Sequence, residues 1–303
     1  MASVITYGID VSNWNGNVDF NAVKNAGRQF VIIKTSQGHT LSGSAYLFRD
    51  SLFEAHIKNA ISAEMQIGCY HFFTGTDRRT SEAEADFFCD VMEPYKNHIT
   101  LHAACDAENY NNEYLLGQSK EMLSENIRYF CDKVKARGFL PSYYTNPDHL
   151  MYYLNASSIP YPVWLANYSS GAKPSYEGVE LVAWQHSSTA KVPGVSGNVD
   201  ADYGYYPYPG YFREEVQRRL HLADETIAYM AAYRWNIDEE LFKRIFYAMR
   251  EDADSPAPAP ETEADERAAV QERLHFADET MQYLDAYRFN SDGELWRRIY
   301  NAL

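Results

Sequence analysis

Cysteine is scarce in this 303-residue chain. Cys69, Cys89, Cys105 and Cys131 stand alone, with no C-x-x-C pair and no His/Cys group at zinc spacing. That pattern points to free thiols in a chain made in a reducing cytosol, and to no metal or other cofactor. Long apolar runs are missing too. No stretch approaches the roughly 18 residues that a membrane-spanning helix needs, so membrane insertion is not expected. Residues 1–7 carry neither a basic n-region nor a long apolar h-region, so no secretory signal is expected. Basic charge is in deficit, with 27 Lys and Arg against 42 Asp and Glu and a net charge of −15. Phosphate backbones and anionic membranes both want a basic face, so neither nucleic acid nor a lipid surface is the expected partner. No G-x-G-x-x-G follows the first strand-like segment, which leaves a dinucleotide-binding fold without support.

Aromatic residues, by contrast, are abundant. Tyrosine occurs 25 times and tryptophan five times. Such a stock suits a surface that stacks on sugar rings. It also suits a core edge at which each phenol reaches water.

Residues 1–206 alternate strand-like and helix-like segments. The strands read as 5–10, 30–35, 66–73, 101–106, 140–145, 163–167, 180–185 and 198–202, short and rich in β-branched and aromatic residues. Helical apolar spacing occupies 20–26, 53–63, 81–91 and 119–137. Ser81 with Glu84 reads as a capping box, while Gly27 and Gly138 read as stops. After Leu140 the helix signals fade into loops rich in Gly, Pro and Ser. The expected fold class is α/β: an irregular, TIM-like parallel β/α barrel that loses its helices late. A doubly wound open sheet is the rival.

Pro207-Tyr208-Pro209-Gly210 ends that pattern, and 207–212 reads as a linker. Beyond it the chain repeats itself. Val216-Gln217-Arg218-Arg219-Leu220-His221-Leu222-Ala223-Asp224-Glu225-Thr226 returns as Val270-Gln271-Glu272-Arg273-Leu274-His275-Phe276-Ala277-Asp278-Glu279-Thr280. The offset of 54 (270 − 216) holds through Ala232-Tyr233-Arg234 and Ala286-Tyr287-Arg288. Two small all-α modules are expected, 213–250 and 267–303. Between them, 251–266 carries seven acids and no base, and its alternating Ala-Pro favours an extended, semi-rigid tether. The first module has seven acids against seven bases and the second six against five, so the acidic excess lies in the tether.

Three acidic segments each follow a strand-like run: Tyr7-Gly8-Ile9-Asp10, Ala104-Cys105-Asp106-Ala107-Glu108 and Gly197-Asn198-Val199-Asp200-Ala201-Asp202. Acids at the C-terminal ends of several strands are how a β/α barrel assembles an active site. Paired carboxyls around one cleft are what glycosidic cleavage needs. Asp106 and Glu108, two residues apart, point to one face, where repulsion drives one of them towards its protonated form. A protonated carboxyl near neutral pH is a general acid. The competing readings are a solvated acidic loop for Asp106-Ala107-Glu108 and an Asx-turn for Asp10.

These segments, together with Gly68-Cys69-Tyr70-His71-Phe72-Phe73 and Trp184-Gln185-His186-Ser187-Ser188, resemble the family-25 glycoside hydrolases. Those are the muramidase-type lysozymes common in bacteriophage endolysins. The resemblance covers about residues 4–206. It implies a flattened barrel with about five helices that cleaves the β-1,4 bond after N-acetylmuramic acid in bacterial peptidoglycan. It further implies Glu108 as general acid, Asp106 and Asp200 as groups that orient or stabilise the reacting sugar, and Asp10 at the cleft floor. Asp202 stands where the family often has asparagine, which leaves the roles of Asp200 and Asp202 open.

Tyr70, Tyr144, Trp164, Tyr168, Trp184 and Gln185 lie at or near strand ends and complete the expected substrate-binding set with Asp202. Trp164 and Trp184 read equally well as barrel core. His71 alternates away from Tyr70 and reads as a satisfied buried histidine. In the repeats, Tyr233, Arg234, Tyr287 and Arg288 are the candidate wall-binding residues, and self-association through the modules is the competing role. The expected setting is synthesis in a host bacterial cytoplasm, with action on the wall after release.

Overall fold

The computed structural model describes residues 6–41, 44–108, 115, 117–205, 213, 216, 217, 224, 227, 228, 263–274 and 278–285. The chain divides into two compact units, one of which spans Ser3–Tyr206.

Nine strands form the sheet of that unit: β1 (Thr6–Val11), β2 (Phe30–Leu41), β3 (Ser44–Arg49), β4 (Gln66–Phe72), β5 (Ile99–Asp106), β6 (Leu140–Thr145), β7 (Val163–Ala166), β8 (Leu181–Ala190) and β9 (Val199–Gly204). Their order is β1-β9-β8-β7-β6-β5-β4-β2-β3, and β1 also pairs with β2. Eight strands therefore close a ring. β3 forms a hairpin on the second half of β2, beyond the stretch that pairs with β1. The sequence pattern missed this hairpin, because β2 runs on well past the apolar stretch.

Not every strand is parallel, which corrects the expected barrel. β9 runs antiparallel to both β1 and β8. The reversal has a chemical effect. Asp10, late in β1, lies opposite Asp200, early in β9, while Thr6 lies opposite Gly204. The first residues of β9 thus sit at the same barrel mouth as the last residues of the parallel strands.

Four α-helices among the described residues accompany the ring: α1 (Phe20–Asn25), α2 (Phe53–Ser62), α3 (Arg78–Met92) and α4 (Lys120–Ala136). Three of them have clear local start or stop signals. Asp19 caps α1 by accepting from the N–H groups of Asn21 and Ala22. Gly27 and Gly138 follow α1 and α4 with φ of 82° and 81°, a conformation that costs glycine little. Ser119 caps α4. The start of α3 differs from the expected capping box. Asp77 is the cap, in a reciprocal pair with Thr80, whereas Ser81 donates to the Asp77 carbonyl and Glu84 is buried. Among the described residues no α-helix separates β6 from β9.

Two apolar clusters hold the unit together. The inner one fills the ring with Phe30, Ile32, Leu101, Ala104, Trp164, Ala166, Val182 and Ala183. Gly8 faces that space opposite Phe30, and a methyl group there would lie 2.3 Å from the Phe30 ring. The outer, larger cluster packs Ile9, Val31, Ile33, Ile67 and Cys69 against Phe53, Phe88, Ile127 and Phe130 of the helices. Fully burying one such side chain is worth about 1.5–3 kcal/mol relative to leaving it exposed. All four cysteines are buried free thiols.

The second unit contains Pro207–Leu303. Its described helices are α5 (Glu263–Leu274) and α6 (Asp278–Asp285). Gln271 donates to Asp278 at 2.6 Å, and the equivalent Gln217 donates to Asp224 at the same distance. Val216 and Val270 are buried, as are Ile227 and Met281. The duplication therefore preserves a polar clasp as well as an apolar stripe. One feature belongs to the second copy alone: Arg267 makes a two-pronged ion pair with Asp285, whose counterpart at 231 (285 − 54) is alanine. Tyr233, Arg234, Tyr287 and Arg288 lie outside the described residues. No described helix is long and apolar enough to cross a membrane.

Candidate active site

The barrel mouth collects five carboxyls from three strands. β1 brings Asp10, β5 and the residue two beyond it bring Asp106 and Glu108, and β9 brings Asp200 and Asp202. Alternation along β9 points Asp200 and Asp202 to the same side as Gln185, which is opposite Asp202 in register.

Gln185 organises this cluster. Its side-chain oxygen accepts from the Tyr144 hydroxyl at 2.9 Å and from the Tyr168 hydroxyl at 2.6 Å. Its amide nitrogen donates to Asp10 Oδ2 at 2.7 Å and to Asp200 Oδ2 at 3.4 Å. Two phenols on the oxygen fix which end of the amide faces the acids. Asp202 lies deeper and is fully buried, with one oxygen accepting from the Trp164 indole N–H at 2.8 Å. Its other oxygen is buried without a donor among protein atoms, and the Asp10 carboxyl interacts with Asp202. Two buried carboxyls side by side do not both ionise readily, so one of them is driven towards its protonated form.

Burial is the leading cause of every carboxyl shift here. It pushes Glu108 to about 7, with the Asp200 charge raising it further and the Lys34 ammonium opposing. It pushes Asp202 to about 7 and Asp200 to about 6. Asp10 rises through burial first and through the Asp202 and Asp200 charges next. Asp106 rises through burial, then through the Glu108 charge. One of its oxygens is buried without a partner among protein atoms. The i, i+2 repulsion read from the sequence is thus real for Asp106 but secondary. Desolvation dominates.

The candidate aromatics separate into three settings. Tyr144, Tyr168 and Tyr70 adjoin the acids; Tyr168 is 55% exposed, and Tyr70 meets Trp164 edge-on at 5.7 Å. Trp164 is inner core, 2% exposed, and reaches the cluster only through its N–H. Trp184 points the other way. It follows the opposite alternation from Gln185, donates to the Asn167 carbonyl and packs against His186 and Tyr203. The structure therefore does not bring Trp184 to the acids. Neither Asp202 nor Trp164 is open to solvent, so their place is beneath the cleft rather than within it.

His71 is buried outside the ring. It pairs with Ser36 at 2.7 Å and Glu84 at 2.9 Å, while Thr74 also donates to Glu84. That Ser-His-Glu chain resembles a hydrolytic relay, yet it is sealed from solvent between strand and helix and serves packing.

Two residues escaped the sequence reading. Lys34 is opposite Tyr70 in register and lies close enough to pull Glu108 and Asp106 downward. Its signal was an inward series, Phe30, Ile32, Lys34, ending in a lone cation. Trp14 stands 88% exposed on the loop that follows Asp10. That loop is tied down. Ser12 and Asn15 form a reciprocal cap, Asp50 accepts from the Asn13 N–H, and His56 bonds the Gly16 carbonyl. Among the described residues no group of three or more His, Cys, Asp or Glu side chains has metal-binding geometry.

Comparison with known proteins agrees with this geometry. The model of glycosyl hydrolases family 25 matches residues 9–195. The autolytic lysozyme of Clostridium acetobutylicum is 33% identical over 195 residues, which is 64% of this chain and 54% of that protein. The chain thus spans about half the length of that relative. Lysozyme M1 of Streptomyces globisporus is 29% identical over 233 residues, covering 72% of this chain and 71% of that protein. The solved bacterial lysozyme from Streptomyces coelicolor superposes with a TM-score of 0.56 at 27% identity, over 66% of this chain and 92% of that one. The barrel, the acids around its mouth and the family match over 9–195 together lead to one assignment: the chain belongs to glycosyl hydrolases family 25.

Proposed function

We propose that this chain is a peptidoglycan hydrolase that cleaves the β-1,4 bond between N-acetylmuramic acid and N-acetylglucosamine. The observation that carries the reading is Glu108, a carboxyl shifted to about 7 beside the ionisable Asp200 and Asp106 at the barrel mouth. A proton held near neutrality is what a glycosidic leaving oxygen needs. Glu108 delivers it. Asp200 and Asp106 orient the sugar and stabilise the positive charge that develops on its ring. Asp10, beside Asp202 and held by Gln185, sets the floor. Tyr168 offers an exposed ring and a fixed hydroxyl to the glycan.

The names of the relatives, autolytic lysozyme and lysozyme M1, support the same substrate class. The full set of acids argues against a barrel that only binds carbohydrate. For the second unit we propose wall anchoring in the setting of host lysis, with two weak modules gaining avidity on one surface. Near-neutral modules suit an anionic wall better than the acidic tether does. Mass spectrometry of digested walls tests the bond cut. New reducing ends at muramic acid support the reading, and reducing ends at glucosamine or free peptides alone overturn it.

A further inference from the structure

The segment Asp106-Ala107-Glu108 is tied down by backbone contacts one residue at a time. The Asp106 carbonyl accepts from the Phe73 N–H at 2.9 Å, beyond the end of β4. The Ala107 N–H donates to the Tyr144 carbonyl at 3.0 Å, on β6. The Ala107 carbonyl is the last anchor before Glu108, and its partner is a side chain: His149 Nδ1, at 3.2 Å. A carbonyl only accepts, so Nδ1 carries the hydrogen and the tautomer is fixed.

His149 is 1% exposed and opens a π-helical turn, His149–Tyr153, closed by the Leu154 N–H donating back to the His149 carbonyl at 3.0 Å. Such wide turns are rare and recur at functional sites. The Tyr153 ring covers the imidazole at 5.1 Å, and the His149 N–H is itself held by Asn146 Oδ1 at 3.0 Å. Burial lowers the pKa of the ring, while the Ala107 carbonyl and Asp148 pull the other way. A neutral imidazole still keeps the Nδ1–H that Ala107 uses.

We propose that His149 is a positioning residue for Glu108: by fixing the Ala107 peptide from the β6 side, it sets where the Glu108 carboxyl stands at the mouth. The inference rests on the reading of Glu108 as the general acid. The residue does not touch substrate. Its effect is on geometry, and a displacement of about 1 Å at a reacting group can cost on the order of 100-fold in rate.

The test compares three variants by steady-state kinetics on soluble peptidoglycan fragments, and by carboxyl ¹³C titration of Glu108. His149→Leu removes the donor. His149→Asn keeps an N–H at the position of Nδ1. His149→Gln keeps an amide but moves its N–H one bond further out. The expected result is a fall in kcat of about ten-fold or more for His149→Leu and His149→Gln, with KM within about two-fold. His149→Asn should return kcat to within about three-fold of wild type. The Glu108 titration midpoint should move in the Leu and Gln variants and return in the Asn variant. If His149→Leu does not fold, the Asn and Gln pair decides alone. Folded variants with wild-type kcat and an unmoved Glu108 midpoint overturn the proposal, as does an Asn variant no better than the Gln variant. An inactive wild-type protein would refute the muramidase reading instead, and the titration would still decide the role of His149.

Discussion

Gln185 and Asp10 are 175 residues apart in the chain and meet at 2.7 Å. The amide can hold that contact only because Tyr144 and Tyr168 occupy its oxygen. Gln185→Glu would place another acid among Asp10, Asp200 and Asp202. At pH 5 the new carboxyl can stay protonated and donate in place of the amide. At pH 8 it adds a like charge in a buried cluster. Thermal melting should therefore show a larger loss at pH 8 than at pH 5, together with a fall in activity of at least about ten-fold. Equal losses at both pH values would mean that shape, not charge, governs this position.

Glu108→Gln should lower wall clearing by about 10²- to 10⁴-fold, because the amide keeps the shape but has no acidic proton. The same substitution should raise stability. The Glu108 carboxyl moves from an ordinary 4.5 to about 7 on folding, so between those values the folded chain binds more protons than the unfolded one. Its contribution to stability then falls as pH rises through that window, and the penalty is complete above about 7, at roughly 3 kcal/mol for the full shift. The variant should melt higher than wild type at pH 8 and at the same temperature at pH 4. A variant that melts lower at pH 8 contradicts this account.

Activity should fall as pH rises through about 7, where Glu108 loses its proton. Lys34 holds that value down. Lys34→Met should move the alkaline limb of the kcat/KM profile upward by several tenths of a pH unit or more. A limb that stays in place would show that Lys34 is too well solvated to reach Glu108.

Asp200→Asn should be severe, and Asp202→Asn milder. Asp200 is half-buried at the mouth, whereas Asp202 is sealed beneath it with one oxygen on Trp164. Kinetics of the two folded variants decide the order. The reverse ranking would move the charge-stabilising role from Asp200 to Asp202.

Removing 207–303 should leave an enzyme that still cuts dissolved fragments but loses activity on intact cells, since local concentration is lost rather than chemistry. In the full chain, Arg234→Ala or Arg288→Ala alone should weaken wall binding modestly, and the double variant far more. Normal sedimentation of the double variant with walls would place the ligand face elsewhere on the modules.

Asp10, Asp106 and Glu108 were legible in the sequence because they end or follow short apolar runs, and eight such runs imply a ring; Asp200 instead opens the reversed β9. The hairpin β2–β3 was not, since polar residues carry the strand on and no apolar alternation marks its extension. The direction of β9 was hidden too, because alternation along a strand reads the same in both directions. Trp184 and Gln185 show the sharper limit. Adjacent residues of a strand face opposite sides, and a shift of one residue decides which is inside. His149 left no sequence signal: its role comes from a carbonyl 42 residues away.

The reversal of β9 also bears on how the barrel can be rearranged. Thr6 and Gly204 are register partners, so the ring begins and ends at one place, on the rim opposite the acids. A short linker could join those ends, and new termini could be opened in a surface loop such as the one holding Gly171, where an added methyl group meets nothing within 4 Å. A circularly permuted barrel of this kind would leave β1, β5 and β9, the strands that position the acids, uncut. Sequence spliced onto the ring at Thr6 or Gly204 likewise starts from the far rim, so fusions at those positions can be made without routing a chain across the cleft.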